Sequence, residues 1–515
     1  MIDDIDVRRR AGVAGALSAA LALGLTELAA GLSSEIPSPV AAVGDVFIDG
    51  LPGPLVRAGI DSLGTSDKPF LVTMIVLISV LVGWRVGTAS LRRRWIAPAV
   101  FGTAGLLGAL ATARDPQSAV FISFLATLGP AMIGAAVLLK LLDLAEATAV
   151  TAEKEQAASA IGSGADRRRF LIGAGGTAAV AFFAALFGRQ LKGRFSVESD
   201  RSALTLPDVE PAVAATDLGA DGLTPYIVPN DEFYRIDTAL SVPQIAPEDW
   251  TVRITGMVDN EIELTFADIL ERTQVEEIVT LSCVSNEVGG DLVGNARWQG
   301  VLLADLLAEA GPQEGAEQVV GISVDGFTAG FPLEVAMDGR PAMIAIGMNG
   351  EPLPVVHGFP ARLVVPGLYG YVSATKWLSE IRLTTWDGFD GYWIPRGWGK
   401  EGPIKTQSRI DVPRSGASLT AGPNAIAGVA WAPSRGIERV EVQVDDGEWQ
   451  EARLGDETTD NSWRQWVVEW DAPVGDHEIR VRATDGNGDT QTSDTAPPAP
   501  DGATGWHDIT VTVDP

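Results

Sequence analysis

The sequence predicts transmembrane α-helices first, an α+β enzyme domain next, and a carboxyl-terminal β-sandwich last. Three observations carry this. Long apolar stretches are confined to the first 195 residues; strand-like and helix-like runs mix between Leu204 and Lys400; short alternating strands with turn residues fill the remainder. A 515-residue chain exceeds one core, and a net charge of −29 beside a high apolar content requires segregated regions. The expected segments are four transmembrane helices over 1–145, a cytoplasmic linker with a fifth helix over 146–195, an enzyme domain over 196–400 and the sandwich over 401–515.

The membrane part comes first. Ala11–Leu32, Phe70–Val86, Trp95–Ala113 and Ala119–Leu142 each approach the roughly 20 apolar residues that a helix needs to cross a bilayer, and Phe170–Gly188 adds a fifth candidate. Basic clusters set the orientation. Arg8-Arg9-Arg10, Arg92-Arg93-Arg94 and Arg167-Arg168-Arg169 all fall on one side, which is expected to be cytoplasmic. The protein is thus expected to be a multi-pass protein of the cytoplasmic (inner) membrane, with everything beyond Gly188 on the extracytoplasmic face. Arg167-Arg168-Arg169-Phe170-Leu171 also resembles a twin-arginine export signal, whose plainer reading is a basic flank on a span. No clear small-x-small site follows Gly188, so an uncleaved anchor is expected. Glu27, near the outer end of the first span, could serve a proton or quinone path or simply be hydrated at the interface. No histidine falls in any span, so no paired-imidazole haem is expected there.

Up to residue 195 the chain carries 18 Lys+Arg and 15 Asp+Glu; the rest carries 20 and 52. The acidic part repels phosphate backbones, which argues against nucleic-acid binding, and could steer a basic electron-transfer partner. The single cysteine excludes an intrachain disulfide.

In the enzyme domain, Thr265–Arg272 and Leu302–Glu309 read as helices. The sandwich strands are read at Ala425–Trp431, Ile437–Val444, Trp463–Trp470, His477–Thr484 and Asp508–Val513, an immunoglobulin-like pattern. Asp485, Asn487 and Asp489 have the spacing of a calcium loop but lack its later Gly and Glu, so a hairpin turn is favoured.

Cys283 follows the apolar run Ile278–Leu281 and precedes a Gly-rich loop, so it sits where a strand yields to a loop. By residue type alone, three readings stay open: a small buried hydrophobe, a nucleophile with His357 as base, or a soft metal ligand.

The segment Thr280–Leu303, together with His357–Gly367, Lys376-Trp377-Leu378 and Tyr392–Arg396, resembles the sulfite oxidase family of molybdopterin enzymes over about residues 205–515. The resemblance implies an α+β sulfite-oxidase-type molybdopterin domain and molybdenum held by one molybdopterin and a cysteine thiolate, with Cys283 at the ligand position. No haem is expected in this chain, which has no haem-attachment motif. Asn230, Phe233 and Tyr234 resemble the segment against the pterin and metal, and His357, Arg362, Ser373 and Lys376 the groups at its phosphate end. Arg235 falls where the family places an arginine in its anion pocket. Two positions depart from the pattern: Asp237 replaces a histidine, and Phe327 replaces a tyrosine beside the metal. The first makes the pocket less hospitable to a dianion; the second removes a hydroxyl donor. Arg297 and Arg396 are further candidates for anion recognition.

The resulting expectation is a membrane-anchored enzyme that performs two-electron oxygen-atom transfer on a small S- or N-containing compound. It would exchange electrons with a cytochrome or a quinone-linked protein, and could dimerise through the carboxyl-terminal domain. The competing classes are a non-catalytic cell-surface protein that keeps the fold and a thiol hydrolase using Cys283 and His357.

Overall fold

The computed structural model of the chain describes residues 2–53, 55, 56, 59, 66–158 and 165–515. They form two compact units, Met1–Ser196 with Ala239–Ser241, and Val197–Thr238 with Val242–Pro515.

The first unit is helical: α1 Ile2–Ala30, α2 Pro39–Asp49, α3 Asp67–Ser90, α4 Ile96–Thr112, α5 Val120–Ala158 and α6 Ala165–Lys192. Glycine lets these helices approach backbone to backbone. A methyl at Gly15 would overlap the Gly83 carbonyl of α3, and one at Gly31 would overlap Gly188 of α6. Among the described residues, Ile5–Ala30, Asp67–Ser90, Val120–Ala147 and Arg168–Ala203 are long and apolar enough to cross a membrane. The expected span at Trp95–Ala113 is different. Its helix, α4, is 17 residues and falls short of that length.

Helix α2 was not anticipated, because 11 residues are too few for a span, although Ser38-Pro39 is a helix-start signal. The Ser38 hydroxyl accepts from the Ala41 amide at 3.4 Å and donates to Glu27 Oε1 at 2.5 Å, so the Glu27 carboxylate has a polar partner. Arg94 pairs with Asp143 at 3.0 Å and Glu146 at 2.7 Å. The Arg167 side chain and linker residues 159–164 lie outside the described residues.

The second unit contains the expected mixture. Strands β1 Thr251–Gly256, β2 Ile262–Thr265, β3 Val275–Ser282, β4 Val293–Leu302, β5 Gln318–Ser323, β6 Thr328–Pro332, β7 Met343–Met348, β8 Glu351–Pro352, β9 Arg362–Val364 and β10 Leu378–Thr384 build two sheets. One has the order β2-β1-β10-β5-β6; the other runs β3-β4-β7-β8, with β9 also on β7. Helix Phe266–Glu271 starts on a capping box, the Thr265 side chain accepting from Asp268 N while Asp268 accepts from Thr265 N. Helix Leu303–Ala310 ends at Gly311 in the left-handed region, φ 70°.

Nine further strands follow: β11 Gln407–Val412, β12 Ser418–Thr420, β13 Gly422–Trp431, β14 Ile437–Val444, β15 Gln450–Glu451, β16 Arg453–Leu454, β17 Arg464–Ala472, β18 Gly475–Asp485 and β19 His507–Asp514. They form sheets β11-β13-β17-β16 and β12-β19-β18-β14-β15. One apolar core joins them: Ile426, Trp466 and Val468 from the first meet Val440, Ile479, Val481 and Val511 from the second. Period-two alternation explains why. In β19, Ile509, Val511 and Val513 are buried, while Asp508, Thr510 and Thr512 face outward. Asp485 closes a turn by accepting from the Asn487 and Asp489 amides, and its other oxygen takes Arg435 and Thr406, as the missing calcium ligands had suggested.

Candidate functional site

The site is built on the end of the β3–β4 ladder. Ser282 pairs with Val293, and the ladder closes where Cys283 N donates to the Leu292 carbonyl at 2.9 Å. Cys283 therefore stands at the neck of a loop, buried, its thiol pushed up by desolvation against hydrogen bonds from Ser285 that favour the thiolate. Such a thiol is protonated at neutral pH unless a cation takes the place of its proton.

Phe233 and Tyr234 lie over this ladder. Gly294 on β4 has no side chain because the Phe233 ring occupies that space. Phe233 stacks on Tyr234 at 5.2 Å between centroids and meets the edges of Trp298 at 5.7 Å and His357 at 5.6 Å. Tyr234 is within electrostatic reach of both Cys283 and Arg362, and burial with the nearby sulfur pushes its hydroxyl up so that it keeps its proton. Tyr234 thus links the thiol to a second group of residues.

That group is cationic. Arg362 opens β9 and is 4% exposed, its charge placed over the Trp298 ring at 5.0 Å, and it donates to the His357 carbonyl at 3.1 Å. Among the described residues, no carboxylate lies within ion-pair distance of it. Desolvation lowers its pKa to about 10. Lys376, with 10% of its side chain exposed, donates to the Val356 carbonyl at 3.1 Å and to Asp237 Oδ2 at 3.3 Å, and desolvation lowers its pKa to about 7 against the opposing pull of Asp237. His357 lies between these cations. Burial, then Lys376 and Arg362, push it down to about 4, so it is neutral, and its Nε2 pairs with the Asn230 carbonyl at 3.0 Å.

The structure brings most of the expected residues together and gives several of them partners within the chain. Asp237 does not stand alone facing a substrate. Its carboxylate is bridged by Arg235 at 2.9 Å and Lys376, with 6% side-chain exposure, because a carboxylate beside two cations is held by them. Arg235 is likewise committed to Asp237, though 41% of its side chain is exposed. The Ser373 hydroxyl closes its own helical turn by donating to the Tyr369 carbonyl at 3.0 Å. The Asn230 amide donates to Glu351 at 2.6 Å and accepts from Asn349 at 2.8 Å, so it fixes a loop. Phe327 sits in the β5–β6 turn against Tyr392, at 5.8 Å. Arg297 pairs with Glu276, and Arg396 lies over the Tyr392 ring at 3.7 Å, so each cation has a partner close by.

Four contributors were missed by sequence reasoning. Trp298 supplies the ring under Arg362, although the Ala-Arg-Trp run gave no hint of stacking. Asn349 and Glu351 reach Asn230 only because β7 turns back through β8. Gly358, at φ 113°, lets the chain turn tightly between His357 and Arg362; there the Gly-Phe-Pro run was a readable turn signal.

Residues 239–393 match the oxidoreductase molybdopterin-binding domain. A mitochondrial sulfite oxidase of Macaca fascicularis is 31% identical over 321 residues, 53% of this chain and 58% of that protein. An uncharacterized oxidoreductase of Bacillus subtilis, YuiH, is 34% identical over 153 residues, 30% of this chain and 74% of its own. The chain belongs to the sulfite oxidase family. It spans 58% of the length of the mammalian sulfite oxidases that it matches. The sulfane dehydrogenase SoxCD from Paracoccus pantotrophus shares 22% identity at a TM-score of 0.48, over 55% of this chain and 82% of that one.

The molybdenum cofactor of this family is anionic at its phosphate end and asks for a soft donor at its metal. The residues present fit both demands. Among the described residues Arg362 is a buried guanidinium without a carboxylate partner, a costly arrangement in an isolated protein and an ordinary one beside a phosphate. Cys283 offers sulfur within reach of the same Tyr234.

Proposed function

We propose that the protein is a membrane-anchored oxidoreductase of the sulfite oxidase type, with Cys283 as the protein ligand to molybdenum and Arg362, Lys376 and neutral His357 holding the phosphate end of a single molybdopterin. The observation that carries this is the buried Arg362 beside Lys376, a concentration of positive charge linked through Tyr234 to the only thiol. When bound, the cofactor supplies two-electron oxygen-atom transfer.

The chain's own residues supply position and charge. Phe233 and Tyr234 stack over the β3–β4 ladder, and burial keeps the proton on the Tyr234 hydroxyl, within electrostatic reach of the sulfur. Arg235, half neutralised by Asp237, and Phe327, without a hydroxyl, favour a weakly charged S-oxide or N-oxide as substrate over sulfite. The enzyme would work on the extracytoplasmic face of the cytoplasmic membrane, anchored by the apolar helices and oriented by the Arg clusters. Its immunoglobulin-like carboxyl-terminal part would dimerise, and electrons would pass to or from a cytochrome or quinone-linked protein.

Metal analysis of the purified full chain and of Cys283→Ser tests this. The expected result is molybdenum in the wild type and its loss in the variant. No molybdenum in the wild type, or equal amounts in both, overturns the reading.

A further inference from the structure

The loop that follows Cys283 is closed at its neck and held from outside. At the neck, the Asn286 amide donates to the Cys283 carbonyl at 3.1 Å and its side chain accepts from Leu292 N at 2.8 Å, while Cys283 N donates to Leu292 O. Inside, Gly290 N donates to Glu287 O at 2.9 Å. Between Glu287 and Asp291 the loop tip carries one sizeable apolar side chain, Val288, which is only half-buried, so packing alone pins it weakly. Its outer side is fastened by strands of the carboxyl-terminal sheets.

Arg409 on β11 is 9% exposed, and its Nη1 donates to the Gly290 carbonyl at 2.9 Å. The guanidinium cannot wander, because Nε donates to Asp411 at 2.6 Å and Nη2 to the Thr224 hydroxyl at 2.9 Å. Next to it, Gly289 stands at φ 77° with the His507 ring where a side chain would be. That ring is oriented in turn, its Nδ1 accepting from Ile410 N at 2.9 Å. Two adjacent loop residues are thus gripped by two side chains from strands more than a hundred positions later. The strand leading into Cys283 is held from the same region: Thr280 N donates to Asn461 O at 2.9 Å, and the Thr280 hydroxyl accepts from Trp463 N at 2.8 Å.

We infer that Arg409 and His507 are positioning residues for the Cys283 sulfur, so that the carboxyl-terminal sheets set the geometry of the site as well as any association between chains. This rests on Cys283 being the metal ligand. A thiolate ligand must be placed to within a fraction of an ångström, and a glycine-rich loop cannot do that unaided. Hydrogen bonds from a fixed cation to a loop carbonyl, with a ring filling the space over a bare glycine, supply the missing restraint.

Hydrogen exchange and electron paramagnetic resonance of molybdenum(V) on the purified full-length holoenzyme test it. Arg409→Gln should speed exchange across residues 284–292 by about ten- to a hundredfold, since a charge-assisted hydrogen bond is lost. It should leave β17 and β18 protected and shift the molybdenum(V) signal; Arg409→Lys, which keeps a donor, should restore part of both. Gly289→Ala should perturb the signal, and His507→Ala added to it should reverse part of that change; this second series stands if Arg409→Gln fails to fold. Unchanged loop exchange, or faster exchange with an unchanged signal and no reversal by His507→Ala, overturns the inference. A wild type without molybdenum overturns the ligand assignment instead, and the exchange data, which need no metal, tell the two failures apart.

Discussion

Replacing Arg362 with methionine asks whether its buried charge exists for a ligand. The fall of its pKa from 12.5 to about 10 corresponds to a burial cost of about 3 kcal/mol. Methionine removes that cost. It also removes the hydrogen bonds to the His357 and Leu363 carbonyls and the seat over Trp298, worth about 1 kcal/mol each. The two sets nearly offset, so cofactor-free stability should change by less than about 2 kcal/mol. Cofactor retention should not be spared. Truncating one partner of a buried, hydrogen-bonded charge pair costs about 2–5 kcal/mol, or roughly 30- to 5,000-fold in affinity. The assay is molybdenum and released pterin per polypeptide beside the thermal unfolding midpoint of the same preparations. Unchanged cofactor content with a stability loss above about 3 kcal/mol would make Arg362 a structural strut and refute the argument.

The remaining predictions concern charge and topology. His357 is held neutral in the fold at a pKa of about 4, whereas the unfolded chain takes up its proton below 6.5, so stability is lost as pH falls through that window, by up to about 3 kcal/mol. His357→Gln should flatten the fall in unfolding midpoint between pH 7 and pH 4 in the cofactor-free protein; an equal slope refutes it. Asp237→Asn should free Arg235 and lower the KM for an anion such as sulfite by about three- to tenfold while leaving a neutral S-oxide unaffected, as steady-state kinetics on both would show. Changing Arg167 and Arg168 to lysine should leave the enzyme unit inside the cell by protease accessibility; unchanged export removes the twin-arginine reading.

Much of the fold was legible because periodicity writes it directly. The strands of the carboxyl-terminal sheets alternate apolar and polar residues, so Ile437–Val444 was bounded correctly by pattern alone. The end of β3 at Ser282 was equally plain, since an apolar run meets a glycine-rich loop there. Helix α2 escaped because length is the membrane signal, and 11 residues do not reach it. In the site, residue types were readable but their pairings were not. Asp237 meets Lys376 across 139 positions, and no local pattern encodes that contact. The departure from the family at Asp237 was visible as chemistry; that its carboxylate pairs with Arg235 and Lys376 became visible only in space.

Cys283 itself illustrates how geometry narrows what composition leaves open. A hydrolytic thiol needs a base that strips its proton and then keeps it, which calls for an imidazole near neutrality within hydrogen-bond reach. His357 is the histidine nearest in role, yet its Nε2 is turned to the Asn230 carbonyl and burial, then its neighbours Lys376 and Arg362, push it down to about 4, so it is a weak base facing elsewhere. The thiol is pushed up, in the direction that makes it less nucleophilic at neutral pH. Both shifts have one remedy. An anionic group among the cations would raise His357 back toward its ordinary range, and a soft metal at the sulfur would displace the proton that burial retains. A single bound group that is anionic at one end and metallic at the other relieves the two unfavourable burials together, which a peptide or ester substrate does not.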